Sequence, residues 1–137
     1  MRIGLWLIVC LAIASPCAAQ QVIPTLSKQF TLSAEEAYDA ADQIDESAGE
    51  RAFETQMDSA RDLKNKLGRE AETDAERKVV ASVGDMLFAS YTCHAIAVHG
   101  GPEYPGCMDS VHQTRRDFMV LLGRHKSAGS WIEGPPV

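Results

Sequence analysis

Three times in the first two-thirds of the chain a small hydroxyl residue is followed three positions later by glutamate. The three stretches are Ser33-Ala34-Glu35-Glu36, Ser47-Ala48-Gly49-Glu50 and Thr73-Asp74-Ala75-Glu76. Each is a capping-box pattern, in which the hydroxyl accepts from a free amide of the first helical turn and the glutamate reaches back to the cap. Apolar residues recur at helical spacing behind them, and no strand-like alternation, internal repeat or low-complexity block interrupts the series. The expected fold class is therefore all-α, a small bundle of three to four helices.

The first stripe is Ala37, Tyr38, Ala41, Ile44 and Ala48, with Leu32 placed as a hydrophobic staple onto Ala37. It slips near Gly49, which predicts a break or kink, and resumes at Phe53, Met57, Ala60, Leu63 or Lys64, and Leu67. Gly68 offers a stop. The most regular helix follows Thr73 and carries Val79, Val80, Val83, Met86, Leu87, Ser90, Tyr91, His94 and Val98, ending at His99-Gly100-Gly101-Pro102. Small residues at Ala81, Gly84, Ala89, Ala95 and Ala97 permit close helix contact. A last helix from about Cys107 to about Arg124 should bury Val111, Phe118, Met119, Leu121 and Leu122, with its late basic residues facing the negative end of the helix dipole.

Residues 1–19 read as a cleavable export signal: Arg2, then the apolar run Ile3 to Ile13, then Pro16 and the small run ending at Ala19. Removal leaves 118 residues, enough for one domain. The expected organisation is an extended lead-in over 20–32, a helical domain over 33–126 and a flexible tail over 127–137. Trp131 and Ile132 in that tail either fold back as a clasp or stay loose. Cys10 and Cys17 leave with the signal, so Cys93 and Cys107 remain in an oxidising setting and should form a disulfide across a helical hairpin. The protein is expected to be periplasmic or secreted, with no stable membrane anchor after cleavage.

The formal charge of −6 is segregated. Between Ser33 and Asp62 ten acids (Glu35, Glu36, Asp39, Asp42, Asp45, Glu46, Glu50, Glu54, Asp58, Asp62) face only Arg51 and Arg61, a balance of −8. From Tyr104 onward Asp109, Asp117 and Glu133 face Arg115, Arg116, Arg124 and Lys126, a balance of +1. An acidic face disfavours nucleic acid and anionic lipid; a basic protein partner is compatible with it, as is a plain solvated surface.

Chemistry concentrates in one predicted hairpin, where Cys93, His94, His99, Cys107, Met108 and His112 supply imidazole, thiol and thioether. His94, His99 and His112 are the candidate ligands of a copper or zinc site. His94 or His112 with Met57, Met86 or Met119 is the candidate haem pair, without covalent attachment because no Cys-x-x-Cys-His is present. Disulfide formation would remove both thiolates, and the cysteine spacing matches no zinc pattern, so no cofactor is expected. Asp109, Ser110 and His112 lie within one helical turn and point in different directions, which excludes a serine relay among themselves. The leading expectation is a non-catalytic protein-binding module of the inhibitor, immunity or accessory type. A metal or haem carrier, and an enzyme whose site forms only in the fold, are the alternatives.

Overall fold

The computed structural model describes residues 26–47, 49–100 and 102–136. The expected export signal, nearly all of the lead-in before Leu26, and Ala48 of the first stripe lie outside them. Four helices follow in order: α1 (Lys28–Asp42), continued by a single 3-10 turn (Gln43–Glu46), α2 (Glu50–Glu70), α3 (Asp74–His99) and α4 (Tyr104–Leu122). Strands β1 (Arg124–Ser127) and β2 (Ser130–Glu133) close the chain as an antiparallel hairpin. The all-α bundle is as expected; the hairpin is an addition to it.

Helix α1 begins earlier than the Ser33 capping box predicts. Ser27 is its N-cap, accepting from the Phe30 amide at 3.1 Å. This start places Phe30, 1% exposed, on the same stripe as Ala34, Ala37, Tyr38 and Ala41, and leaves Ser33 buried in the helix interior. Burying a phenylalanine stabilises by about 1.5–3 kcal/mol, against about 0.5–2 kcal/mol for a cap, and starting the helix at Ser27 keeps a cap as well. The break near Gly49 is present, but the capping box there does not form. Ser47 donates back to the Gln43 carbonyl, and the cap is Gly49 itself at φ 90°, a conformation suited to glycine. Nor does Gly68 stop α2, because Leu67 and Ala71 carry the apolar stripe past it and pack on the core.

The Thr73 capping box does form, and it reaches further than its own helix. Thr73 Oγ1 accepts from the Glu76 amide, while Glu76 Oε1 accepts from the amides of Glu72 at 2.8 Å and Thr73 at 3.3 Å. The other oxygen, Oε2, accepts from the Ser27 amide at 3.1 Å. One buried carboxylate thus fixes both the α2–α3 turn and the entry to α1. Its ionised form is favoured first by the Glu72 amide, against the opposing effect of burial, and then by Ser27 and Thr73, so its pKa is lowered.

By length and composition α3 could cross a bilayer. Here it is the core helix, with Val79, Val83, Met86 and Leu87 buried alongside Phe30, Tyr38, Phe53, Met57, Leu67, Phe118 and Leu122. It ends at Gly100 in the left-handed region, as expected. Helix α4 starts a turn before Cys107, with Pro105 in its first turn, and stops at Gly123, φ 70°. Arg124 and Lys126 therefore belong to β1 and do not complement the α4 dipole. Among the α4 residues expected to be buried, Val111, Phe118 and Leu122 are; Met119 is half-buried and Leu121 is 40% exposed.

The Ala128-Gly129 turn has both residues at positive φ, the hairpin geometry that matches strand twist. Trp131 folds back onto the bundle, its ring edge-on to Tyr38 at 5.0 Å and near Phe118 at 6.4 Å. Of the two readings of the tail, the clasp holds for Trp131, while Ile132 stays 43% exposed.

Glu76→Gln leaves one carbonyl acceptor where two carboxylate oxygens served and sets an amide NH2 against backbone donors. The expected loss at pH 7 is about 1–3 kcal/mol in urea unfolding. Because the folded pKa is lowered, this stabilisation is present above the ordinary carboxylate value near 4.5 and is lost as pH falls through the folded value. The gap between wild type and variant should therefore narrow below about pH 4; an equal gap at both pH values would contradict a role for the charge.

Candidate functional site

The hairpin cluster is built first by the disulfide. Cys93 on α3 and Cys107 on α4 are joined, their Cα atoms 5.2 Å apart, and the bridge sits in a small apolar cluster with Ala89, Val111 and Met108. Neither sulfur is then a thiolate ligand. His94 turns the other way, into the α2–α3 interface: its ring stacks on Phe53 at 3.6 Å and 6°, and Nε2 lies 2.9 Å from Glu50. His99 is exposed at the end of α3, and His112 is exposed on α4.

The three histidines are thus not brought together. Among the described residues no three His, Cys, Asp or Glu side chains gather closely enough to hold a metal ion. Of the proposed haem pairs, Met57 and Met86 belong to the packed core. His112 and Met119 do line one cavity, of about 440 Å³, but two turns apart on one helix they cannot take opposite faces of a porphyrin. Ser110 donates to the Gly106 carbonyl one turn back, and Asp109 and His112 face solvent, so α4 assembles no relay.

The cavity beside His112 is lined also by Arg115, Arg116, His125 and Lys126, a concentration of basic side chains. Two of them, Arg115 and Lys126, are paired with carboxylates. Arg115, its side chain only 17% exposed, bridges Asp42 at 3.2 Å and also Asp45; Lys126 meets Asp39 at 2.7 Å; Arg124 meets Glu35. The acidic face of α1 and its 3-10 turn therefore lies against the basic end of α4 and β1. For Glu35, 7% exposed, this corrects the reading as part of an outward acidic surface; Asp39 and Asp42, their side chains 39% and 42% exposed, stand at the surface but are paired. Behind the seam Tyr38 is pushed up to about 12, by burial first and then by Asp42, so its phenol is neutral at physiological pH. Lys126 also stands over the Trp131 ring, 5.5 Å from its centre.

An open cleft of about 770 Å³ lies between the first turns of α1 and the end of α4, floored by Leu26, Leu32, Val120, Leu121 and Leu122. Leu32, Val120 and Leu121 are 52%, 61% and 40% exposed. Lys28, Thr31, Glu133 and the Glu35–Arg124 pair complete its lining. Leu32 was expected to staple the helix start and Leu121 to lie in the core, so the sequence reading missed this cleft. Its signal was the run Val120-Leu121-Leu122, three consecutive apolar residues that one helix cannot bury on one face. The chain matches no protein family, no curated protein and no solved structure.

The disulfide closes a loop with a sequence separation of 14, for which the chain-entropy model gives roughly 3 kcal/mol. Replacing both cysteines with alanine should lower unfolding free energy by about that amount while leaving the helical circular dichroism unchanged at 25 °C. A loss below about 0.5 kcal/mol would contradict a clamping role.

Proposed function

We propose that this is a small exported, non-catalytic protein-binding module, of the inhibitor, immunity or accessory type, that receives an apolar segment of its partner in the α1–α4 cleft. The observation that carries the reading is the exposure of Leu32, Val120 and Leu121 around one concave surface. Contiguous apolar patches are uncommon on small monomeric proteins and mark sites of association. A floor of aliphatic side chains with lining charges of both signs suits two or three apolar anchors of a partner helix or strand, with hydrogen bonds at the edge. The Cys93–Cys107 bridge is compatible with an oxidising environment and supports export, together with the leader-like residues 1–19.

The lining is charge-balanced, so a basic partner is not favoured at the cleft. Carriage of a metal or haem by His94, His99 and His112 has less support, because His94 is committed to Glu50 and Phe53 and the other two stand apart from it.

A photo-crosslinker placed at Val120 should trap one partner from an envelope extract of the source cell. Leu32→Glu and Leu121→Glu should each weaken binding of that partner at least about tenfold, whereas Glu54→Lys on α2 should not. Binding that survives both leucine substitutions would refute the cleft as the site.

A further inference from the structure

Helix α3 carries a second apolar face, pointing away from the core. Ala81, Gly84, Phe88, Tyr91, Ala95 and Val98 follow one another at spacings of three and four, the seam periodicity of paired helices. Phe88 is 72% exposed, Tyr91 56% and Val98 62%. Across Ala81–Val98 the only Asp, Glu, Lys or Arg is Asp85. This seam is distinct from the inner stripe of Val79, Val83, Met86 and Ser90, and from the α1–α4 cleft.

We infer that the occupant of this face is a second copy of the same chain, docked antiparallel along α3. The seam is a palindrome in side-chain size. About a two-fold axis between Ala89 and Ser90, Phe88 meets Tyr91 of the second copy, Gly84 meets Ala95, and Ala81 meets Val98. Each of these is the a-to-d pairing that an antiparallel helix pair makes. An isologous contact needs such self-complementarity and a foreign partner does not. Two aromatic pairs form the centre, and small residues flank them so that the helix backbones can approach.

Charge permits the same occupant. On α3 itself the seam carries one charged side chain, Asp85, which is no obstacle to self-pairing, and the flexible end of Lys64 from α2 reaches over Gly84. The two Asp85 side chains would stand nine residues out of register, about 13 Å along the axis and beyond the screening length at physiological salt. Beside Tyr91 an open cavity of about 230 Å³ is lined by Phe53, Glu54, Met57 and the Asp58–Arg61 pair, and in this register the incoming Phe88 ring meets Tyr91 at its edge. A single helix contact of about 27 Å is smaller than a standard interface, so the dimer is weak and forms in a concentration-dependent way.

Sedimentation velocity on the oxidised protein from about 5 to about 500 µM should show dimer increasing with concentration. Phe88→Glu should remain monomeric throughout, and because Phe88 is exposed its thermal unfolding should match wild type within about 0.5 kcal/mol. Leu32→Glu, in the α1–α4 cleft, should associate like wild type. Orientation is read from a short bismaleimide. A mixture of A81C and V98C chains should crosslink, whereas A81C alone should not, its two copies lying about 25 Å apart. A monomer at every concentration, association that survives Phe88→Glu, or A81C crosslinking to itself as well as the mixture does would overturn the antiparallel α3 dimer. Association lost in Leu32→Glu and kept in Phe88→Glu would move self-pairing to the cleft.

Discussion

The bundle depends on an ion-pair seam. Glu35, Asp39, Asp42 and Asp45, spaced along one side of α1 and its 3-10 turn, meet Arg124, Lys126 and Arg115 from the opposite end of the chain. Tyr38, Phe118 and Trp131 pack directly behind it. Removing one partner of a half-buried pair leaves the other charge only partly solvated, at a cost between the roughly 0–1 kcal/mol of an exposed pair and the about 3–5 kcal/mol of a buried one. The seam therefore specifies where the β-hairpin must lie more than it adds to net stability, and the Trp131 clasp follows from that placement.

Neutralising the seam changes what the surface can do. A chain with a balance of −8 in one segment is compatible with a basic partner or with a plain solvated surface, yet on α1 Glu35 is buried and Asp39 and Asp42 are committed to the seam. What the molecule offers instead is shape and apolar area: one cleft at the α1–α4 end, and one nearly uncharged helix face on α3. The disulfide holds α3 and α4 together near their shared turn, and the Glu76 carboxylate holds the entry to α1 at the far end of α3. These two devices hold α3 at both ends and α1 at its entry, which limits the ordering cost of any contact made there.

Local features of the fold were legible in the sequence, and features linking distant segments were not. The Thr73 cap, the Gly100 stop, the break near Gly49 and the Cys93–Cys107 bridge each depend on residues within a turn or a hairpin of one another. The α1 start was misplaced because two caps competed and the deciding term was burial of Phe30, a tertiary effect. The hairpin escaped notice because Arg124 to Ser127 has no apolar alternation; Trp131 and the seam hold it. Asp45 and Arg115 lie 70 positions apart, and Asp39 and Lys126 lie 87 apart, so no window could join them. The segregation of charge is itself the clue, since four of the acids find their cations at the other end of the chain. At the candidate site the histidines carry the chemistry a sequence displays. The exposed aromatic seam of α3 is hidden because Tyr91 and Val98 share helical spacing with the inner stripe.

The acidic seam of α1 and its 3-10 turn is structural. A thermodynamic double-mutant cycle between Asp45→Ala and Arg115→Ala, read by urea unfolding at low ionic strength, decides this. A coupling of about 0.5–3 kcal/mol in favour of the intact pair is expected. A coupling indistinguishable from zero, with each single substitution near wild type, would mean that the carboxylates face solvent and that the acidic surface is free to meet a partner.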